Sequence, residues 1–205
     1  MTTQRSTQAQ PSRRNRLVAA ALVISAGAFI AGASAVRAIA GPGHDPEISL
    51  IADLSERKLV IREGGDDAET FPISIGRGSK PTPQGSYQIR KIVWNPAWIP
   101  PDEKWAKDKK PQPPGAKDNP MKLVKIFFKE PDYYIHGTGD VESLGEAASH
   151  GCLRMHPDDA YRVARYLMVN GGQPRDENWF WRVLHFRSQT KTVYLDHPIA
   201  ITVTD

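Results

Sequence analysis

The chain has 205 residues, 40% of them hydrophobic and 24% charged, enough for one domain of ordinary size with a real core and a short appendage. The formal charge of +4 is concentrated at the front: residues 1–40 hold five arginines (Arg5, Arg13, Arg14, Arg16, Arg37) and no acid, leaving 22 basic against 23 acidic side chains in residues 41–205. That near-neutral balance removes the electrostatic support that nucleic-acid binding needs, so no nucleic-acid partner is expected.

A positive stretch ending at Arg16 precedes an uncharged apolar run from Leu17 to Val36, the pattern of an export signal or membrane anchor. Ala33-Ser34-Ala35 and Ala38-Ile39-Ala40 are small-x-small sites suited to a signal peptidase, yet a run of about 20 apolar residues also suffices to span a bilayer uncut. Both readings stay open for residues 1–40. Arg13-Arg14 hints at a twin-arginine signal, weakened by Arg16, which stands where such signals carry an apolar side chain. Basic residues ahead of the run keep the N-terminus in the cytoplasm, so the domain is expected in the periplasm or cell envelope, tethered to the inner membrane if the segment is uncleaved.

Residues 41–46, rich in Gly and Pro, read as a linker, and the domain is expected over 47–205. Ile48 to Ala52 and Lys58 to Arg62 form an expected hairpin around Asp53-Leu54-Ser55-Glu56-Arg57. Further β-branched and aromatic runs at Thr70 to Ile75, Tyr87 to Trp94, Leu123 to Phe128, Tyr133 to His136, Thr192 to Leu195 and Ile199 to Val203 make the architecture mainly β. Between Asn95 and Pro120 seven prolines and Lys104, Lys107, Lys109 and Lys110 resist helix and central strand, so this is an extended loop, either a solvated excursion or a lid. One helix is signalled by His156-Pro157-Asp158-Asp159, by Ala160, Val163, Ala164 and Leu167 at helical spacing, and by a stop at Asn170-Gly171-Gly172.

The chain carries a single cysteine, Cys152. In an exported protein it has no intramolecular disulfide partner, and it is either a buried inert thiol or a reactive one. Its neighbourhood favours reactivity: Tyr134-Ile135-His136-Gly137-Thr138-Gly139, then Ser149-His150-Gly151-Cys152-Leu153-Arg154-Met155. His136 ends a β-run and so has a rigid strand from which to reach Cys152, take its proton and hold a charge pair at neutral pH, with a nearby oxygen fixing the ring tautomer. Gly151 permits close backbone approach, and the amides around Gly151 and Cys152 are candidates for an oxyanion hole.

This region resembles the catalytic domain of the L,D-transpeptidases, whose signature is His-Gly, a spacer of about fifteen residues, then Ser/Thr-His-Gly-Cys, an apolar residue and Arg or Asn. Gly76-Arg77-Gly78, Thr82-Pro83-Gln84-Gly85 and Asn95-Pro96-Ala97-Trp98-Ile99-Pro100-Pro101 match further segments of the family, so the resemblance covers roughly residues 47–204. It implies a β-sandwich or barrel of the L,D-transpeptidase kind with one short helix after the cysteine segment. It also implies Cys152 as nucleophile, His136 as general base, the Gly137 carbonyl as its orienter, and His150, Gly151 and Ser149 as residues that shape the site. Arg154 is expected close to the substrate's carboxylate or holding the cysteine loop, and Trp98 and Thr138 are further expected substrate contacts. No cofactor or metal is called for, and the implied partner is a peptidoglycan tetrapeptide stem. The acyl acceptor is left open between a second stem, a lysine of an envelope lipoprotein and water. Acylation by carbapenems is a further family property.

Two rival readings are a zinc site built from His136, His150, Cys152 and His156, whose spacing fits no familiar finger, and a silent wall-binding module. His44, His185 and His197 read as surface or packing residues. Tyr133 and Tyr134 read first as fillers of a sheet face, and Trp179, Phe180 and Trp181 as core, while Trp94 borders the proline-rich loop.

Overall fold

A computed structural model describes residues 47–205, so the expected N-terminal signal or anchor, the expected linker and His44 lie outside the described residues. In chain order the strands are β1 (Ile48–Asp53), β2 (Lys58–Glu63), β3 (Asp66–Pro72), β4 (Ile75–Gly76), β5 (Gly85–Trp94), β6 (Val124–Lys129), β7 (Tyr133–Gly137), β8 (Ala147–Ser149), β9 (Leu153–Met155) and β10 (Lys191–Thr204), with helices α1 (Pro157–Asn170) and α2 (Glu177–His185) between β9 and β10. Among the described residues no helix is long and apolar enough to cross a membrane.

Eight strands form one sheet in the order β3-β2-β1-β10-β5-β6-β7-β9, and β4 pairs with β8 in a small second sheet. The expected hairpin is β1 and β2, turned where Asp53 Oδ1 accepts the Glu56 N–H at 2.7 Å and the Ser55 hydroxyl at 2.9 Å. The two C-terminal runs are a single strand, because β10 stays paired with β5 across an irregularity between Tyr194 and Ile199. Pro198 has no N–H to give the ladder there, and the Asp196 and His197 N–H groups instead donate to Gly171 O at 2.9 and 3.1 Å. Just past β3, Ser74 exchanges two main-chain hydrogen bonds of 2.9 Å with Arg154 of β9, so the two outer ends of the long sheet meet. The sheet thus curls toward a barrel, as expected.

Alternation sends one face of each strand inward. Val124, Ile126 and Phe128 of β6, Ile135 of β7, and Leu153 and Met155 of β9 are buried in one apolar core. α1 covers it with Ala160, Val163, Ala164, Leu167 and Met168. His156 caps this helix, its Nδ1 accepting the Asp158 N–H at 3.3 Å, which gives that histidine a structural task.

One expectation needs correction: among the described residues there are two helices after the cysteine segment, not one. Trp179-Phe180-Trp181 lies on α2, started by Asp176, whose carboxylate accepts the Trp179 N–H at 2.7 Å. Three consecutive aromatics hide the helical period, because only Phe180 and Val183 of this helix are buried. Phe180 and half-buried Trp179 meet the Trp94 ring edge-on at centroid distances of 5.7 and 5.8 Å, whereas Trp181 is 53% exposed and is not core.

Candidate active site

β7 and β9 run parallel with His136 opposite Arg154, and β6 runs antiparallel to β7 with Lys125 opposite His136 and Phe127 opposite Tyr134. Cys152 stands immediately before β9. Since Ile135, Leu153 and Met155 take the core side, Tyr134, His136, Lys125, Phe127 and Arg154 share the other face, together with the cysteine that precedes Arg154 by two positions. The contacts agree: the Tyr134 ring lies 5.5 Å from that of His136 and 5.2 Å from Phe127, and the Lys125 ammonium sits 4.6 Å from the Tyr134 centroid.

The cysteine loop is held by its own residues. Ser149 Oγ donates to Cys152 O at 2.6 Å and accepts the Gly151 N–H at 3.0 Å. Gly151 has φ +110°, and a Cβ there would come within 2.8 Å of Tyr133 Cε1, so both conformation and space call for glycine. Arg77 binds the loop from outside, its guanidinium donating to Ala148 O at 3.0 Å and Ser149 O at 3.3 Å. Because its N–H is used by Ser149, Gly151 does not offer an oxyanion donor in this conformation. Among the described residues the Cys152 N–H has no hydrogen-bond partner, which leaves it for that role.

The His136 ring is 3% exposed and its Nδ1–H donates to the Gly137 carbonyl at 2.7 Å, the orienting contact expected. With the proton fixed on Nδ1, Nε2 carries a free lone pair. Burial first, then the Arg154 and Lys125 charges, pull the imidazole pKa down to about 3, against the opposing effects of the Gly137 and Pro120 carbonyls. Cys152 is half-buried and its S–H donates to Asp132 O at 3.4 Å. Loss of water pushes its pKa up to about 11, although the Tyr134 main chain and hydroxyl, Lys125 and Arg154 favour the thiolate.

Burial thus works against the expected charge pair and favours a neutral thiol and a neutral imidazole near pH 7. Alkylation of Cys152 by iodoacetamide should accordingly climb about tenfold per pH unit between about pH 6 and pH 9. A rate already flat by about pH 6 would instead reveal a standing thiolate-imidazolium pair.

The other expected site residues divide. His150 lies beside the cysteine and stacks on Trp105 at 3.7 Å with the planes 14° apart. Burial and the Arg77 and Arg154 charges hold its pKa below the ordinary imidazole value. Trp105 belongs to a single 3-10 turn, Lys104–Ala106, so the proline-rich loop reaches over the cysteine loop. Its indole N–H donates to Glu103 at 3.2 Å, and Glu103 pairs with Lys80 at 2.6 Å. Sequence reasoning missed Trp105; the available signal was a lone aromatic among lysines and prolines, which needs a face to cover it. Tyr134 was also undervalued, since it borders the thiol: its own burial first, then the proximity of Cys152, drive its pKa up.

Trp98, an expected substrate contact, is 8% exposed and its main chain pairs with Gln112, so it braces the loop. Thr138 is likewise buried, donating its N–H to Met155 O at 2.9 Å and accepting the Asp140 N–H at 3.1 Å, the work of a turn. Arg154 stays half-buried on the site face.

The model of the YkuD L,D-transpeptidase catalytic domain matches residues 47–178. The chain belongs to this L,D-transpeptidase family. An ORF 5 protein from the ATP synthase subunits region of Fuscovulum blasticum, whose name places it among the L,D-transpeptidases, is 34% identical over 111 residues, covering 52% of this chain and 58% of the relative. The protein named YkuD of Bacillus subtilis is 26% identical over 160 residues, covering 76% and 84%. ErfK/SrfK of Salmonella typhimurium is 30% identical, and only 38% of its length is matched, so the chain spans between about two fifths and three fifths of the first two curated relatives compared. An L,D-transpeptidase structure from Mycobacterium smegmatis superposes with a TM-score of 0.50 at 18% identity, over 78% of this chain and 59% of that one, which shows a shared fold.

Proposed function

We propose that this family member is a cysteine L,D-transpeptidase that works on peptidoglycan stem peptides in the cell envelope. The observation that carries the reading is a thiol and an imidazole on one sheet face, the imidazole anchored through Nδ1 to Gly137 O at 2.7 Å, which leaves Nε2 as the nitrogen to take a proton. Family membership supplies the substrate class.

The steps start from the neutral pair that burial favours. Cys152 Sγ attacks the carbonyl of the third stem residue while its proton passes to His136 Nε2, and the developing oxyanion meets the Cys152 N–H. The carbon–nitrogen bond breaks, His136 returns the proton to the departing amine, and a D-amino acid leaves a thioester behind. An amine of a second stem then attacks that thioester, giving its proton to His136, and the thiol is regenerated with a 3→3 cross-link formed. A lysine of an envelope lipoprotein or water would enter the same step as another acceptor.

Incubating the chain with a disaccharide tetrapeptide and following products by mass spectrometry tests this. Expected are a covalent adduct on Cys152 and a dimer lacking one terminal D-residue. A lipoprotein conjugate or a trimmed tripeptide would move the acceptor, and an unchanged tetrapeptide with no adduct would refute the reaction. A carbapenem should give a stable adduct at the same sulfur.

A further inference from the structure

Two half-buried cations flank the catalytic imidazole without an ion-pair partner. Lys125 is opposite His136 on one side and Arg154 on the other, which places their Cα atoms roughly 10 Å apart at the ordinary strand spacing. Neither has a carboxylate within 4.0 Å among the described residues, although the Asp140 charge acts on Arg154 from farther away, whereas Lys91 pairs with Glu130, Lys80 with Glu103 and Arg162 with Glu69. The Lys125 ammonium lies 4.6 Å above the Tyr134 ring and has one long hydrogen bond, 3.5 Å, to Ala97 O. Burial pulls its pKa down, and Cys152 is the group that holds it up. A partly desolvated cation with spare donors is unfavourable unless an anion completes it.

We propose that Lys125 is a specificity-determining residue that joins Arg154, which the family resemblance already places near the substrate's carboxylate, in binding the carboxylate of the donor's departing D-residue. The inference rests on the donor chemistry proposed above. Only three bonds separate the scissile carbonyl carbon from that carboxylate carbon, a reach of about 4 Å. A carbonyl held at Cys152 Sγ therefore delivers the carboxylate to the rim of the same face, where the two cations wait on either side of His136. Charge-assisted bonds from an ammonium and a guanidinium then fix the donor by its free C-terminus.

The test compares alkylation of Cys152 by iodoacetate, an anion, with alkylation by neutral iodoacetamide. A lysine that merely favours the thiolate changes both rates together, while a carboxylate subsite changes their ratio. Lys125→Met and Lys125→Gln should each lower the iodoacetate-to-iodoacetamide ratio about tenfold, and Lys125→Arg should retain most of it. With tetrapeptide and its C-terminal amide as donors, the wild type should show a KM about tenfold higher for the amide, and Lys125→Met should show nearly equal KM values with a smaller effect on kcat.

A ratio within about twofold of wild type in both neutral variants overturns the subsite. If the ratio falls but the tetrapeptide is never cleaved, the anion subsite stands and the transpeptidase reading fails. If the peptide is cleaved but neither ratio nor amide discrimination moves, the reaction stands and the subsite fails.

Discussion

Replacing Cys152 with alanine should lower acyl transfer at least about 10⁴-fold and leave the melting behaviour nearly unchanged. The sulfur is the one atom on this face able to form the thioester, and the oxyanion donor and cations left behind have nothing to stabilise once attack is impossible. What the fold loses is small: a half-buried thiol with one long bond to Asp132 O at 3.4 Å. The Ser149 hydrogen bonds that shape the loop use main-chain atoms of Cys152 and Gly151 and survive the change. A stability change within about 1 kcal/mol is expected. Release of the terminal D-residue and a thermal melt together measure both halves. A well-folded variant that retained turnover within about tenfold of wild type would remove the cysteine from the chemistry.

His136→Gln should cost between about 10² and 10⁴-fold at neutral pH, because glutamine can still donate to the Gly137 carbonyl but cannot take the thiol proton. The deficit is expected to shrink as the pH approaches the thiol pKa of about 11, where hydroxide does the deprotonation. A deficit equally large at every pH would mean that the imidazole acts only by packing. The same substitution has a thermodynamic signature. Folded His136 stays neutral down to about pH 3, while the unfolded ring takes its proton near 6.5, so the unfolded state binds more protons between those values. Wild-type stability contributed by this group is thus present above 6.5 and drains away on acidification, by at most about 1.4 kcal/mol per pH unit. Denaturant midpoints measured across that window should fall less steeply for His136→Gln.

Most of the strands and the candidate nucleophile and base were legible in the sequence, because β-branched runs with period two and a lone cysteine beside a histidine carry local signals. Residues that depend on pairing were not. Lys125 reads as a polar residue in an apolar strand, and only the register that sets it opposite His136 gives it a place in the site. Trp98 and Thr138 were expected at the substrate and proved to brace loop and turn, since a local motif does not tell which side of a loop is covered. The bias toward a neutral pair was also invisible beforehand, because the loss of water that favours it around both groups depends on the fold. α2 escaped because its buried positions are just two in a nine-residue helix.

The placement of β10 has a consequence for how the long sheet holds together. Its 14 residues lie between β1, which they meet in parallel, and β5, which they meet antiparallel, so this strand is the seam joining β1–β3 to the strands bearing the thiol and imidazole. Freeing β10 would therefore leave the two parts of the long sheet without a shared ladder, held across their outer ends by the Ser74–Arg154 bridge and the β4–β8 pair.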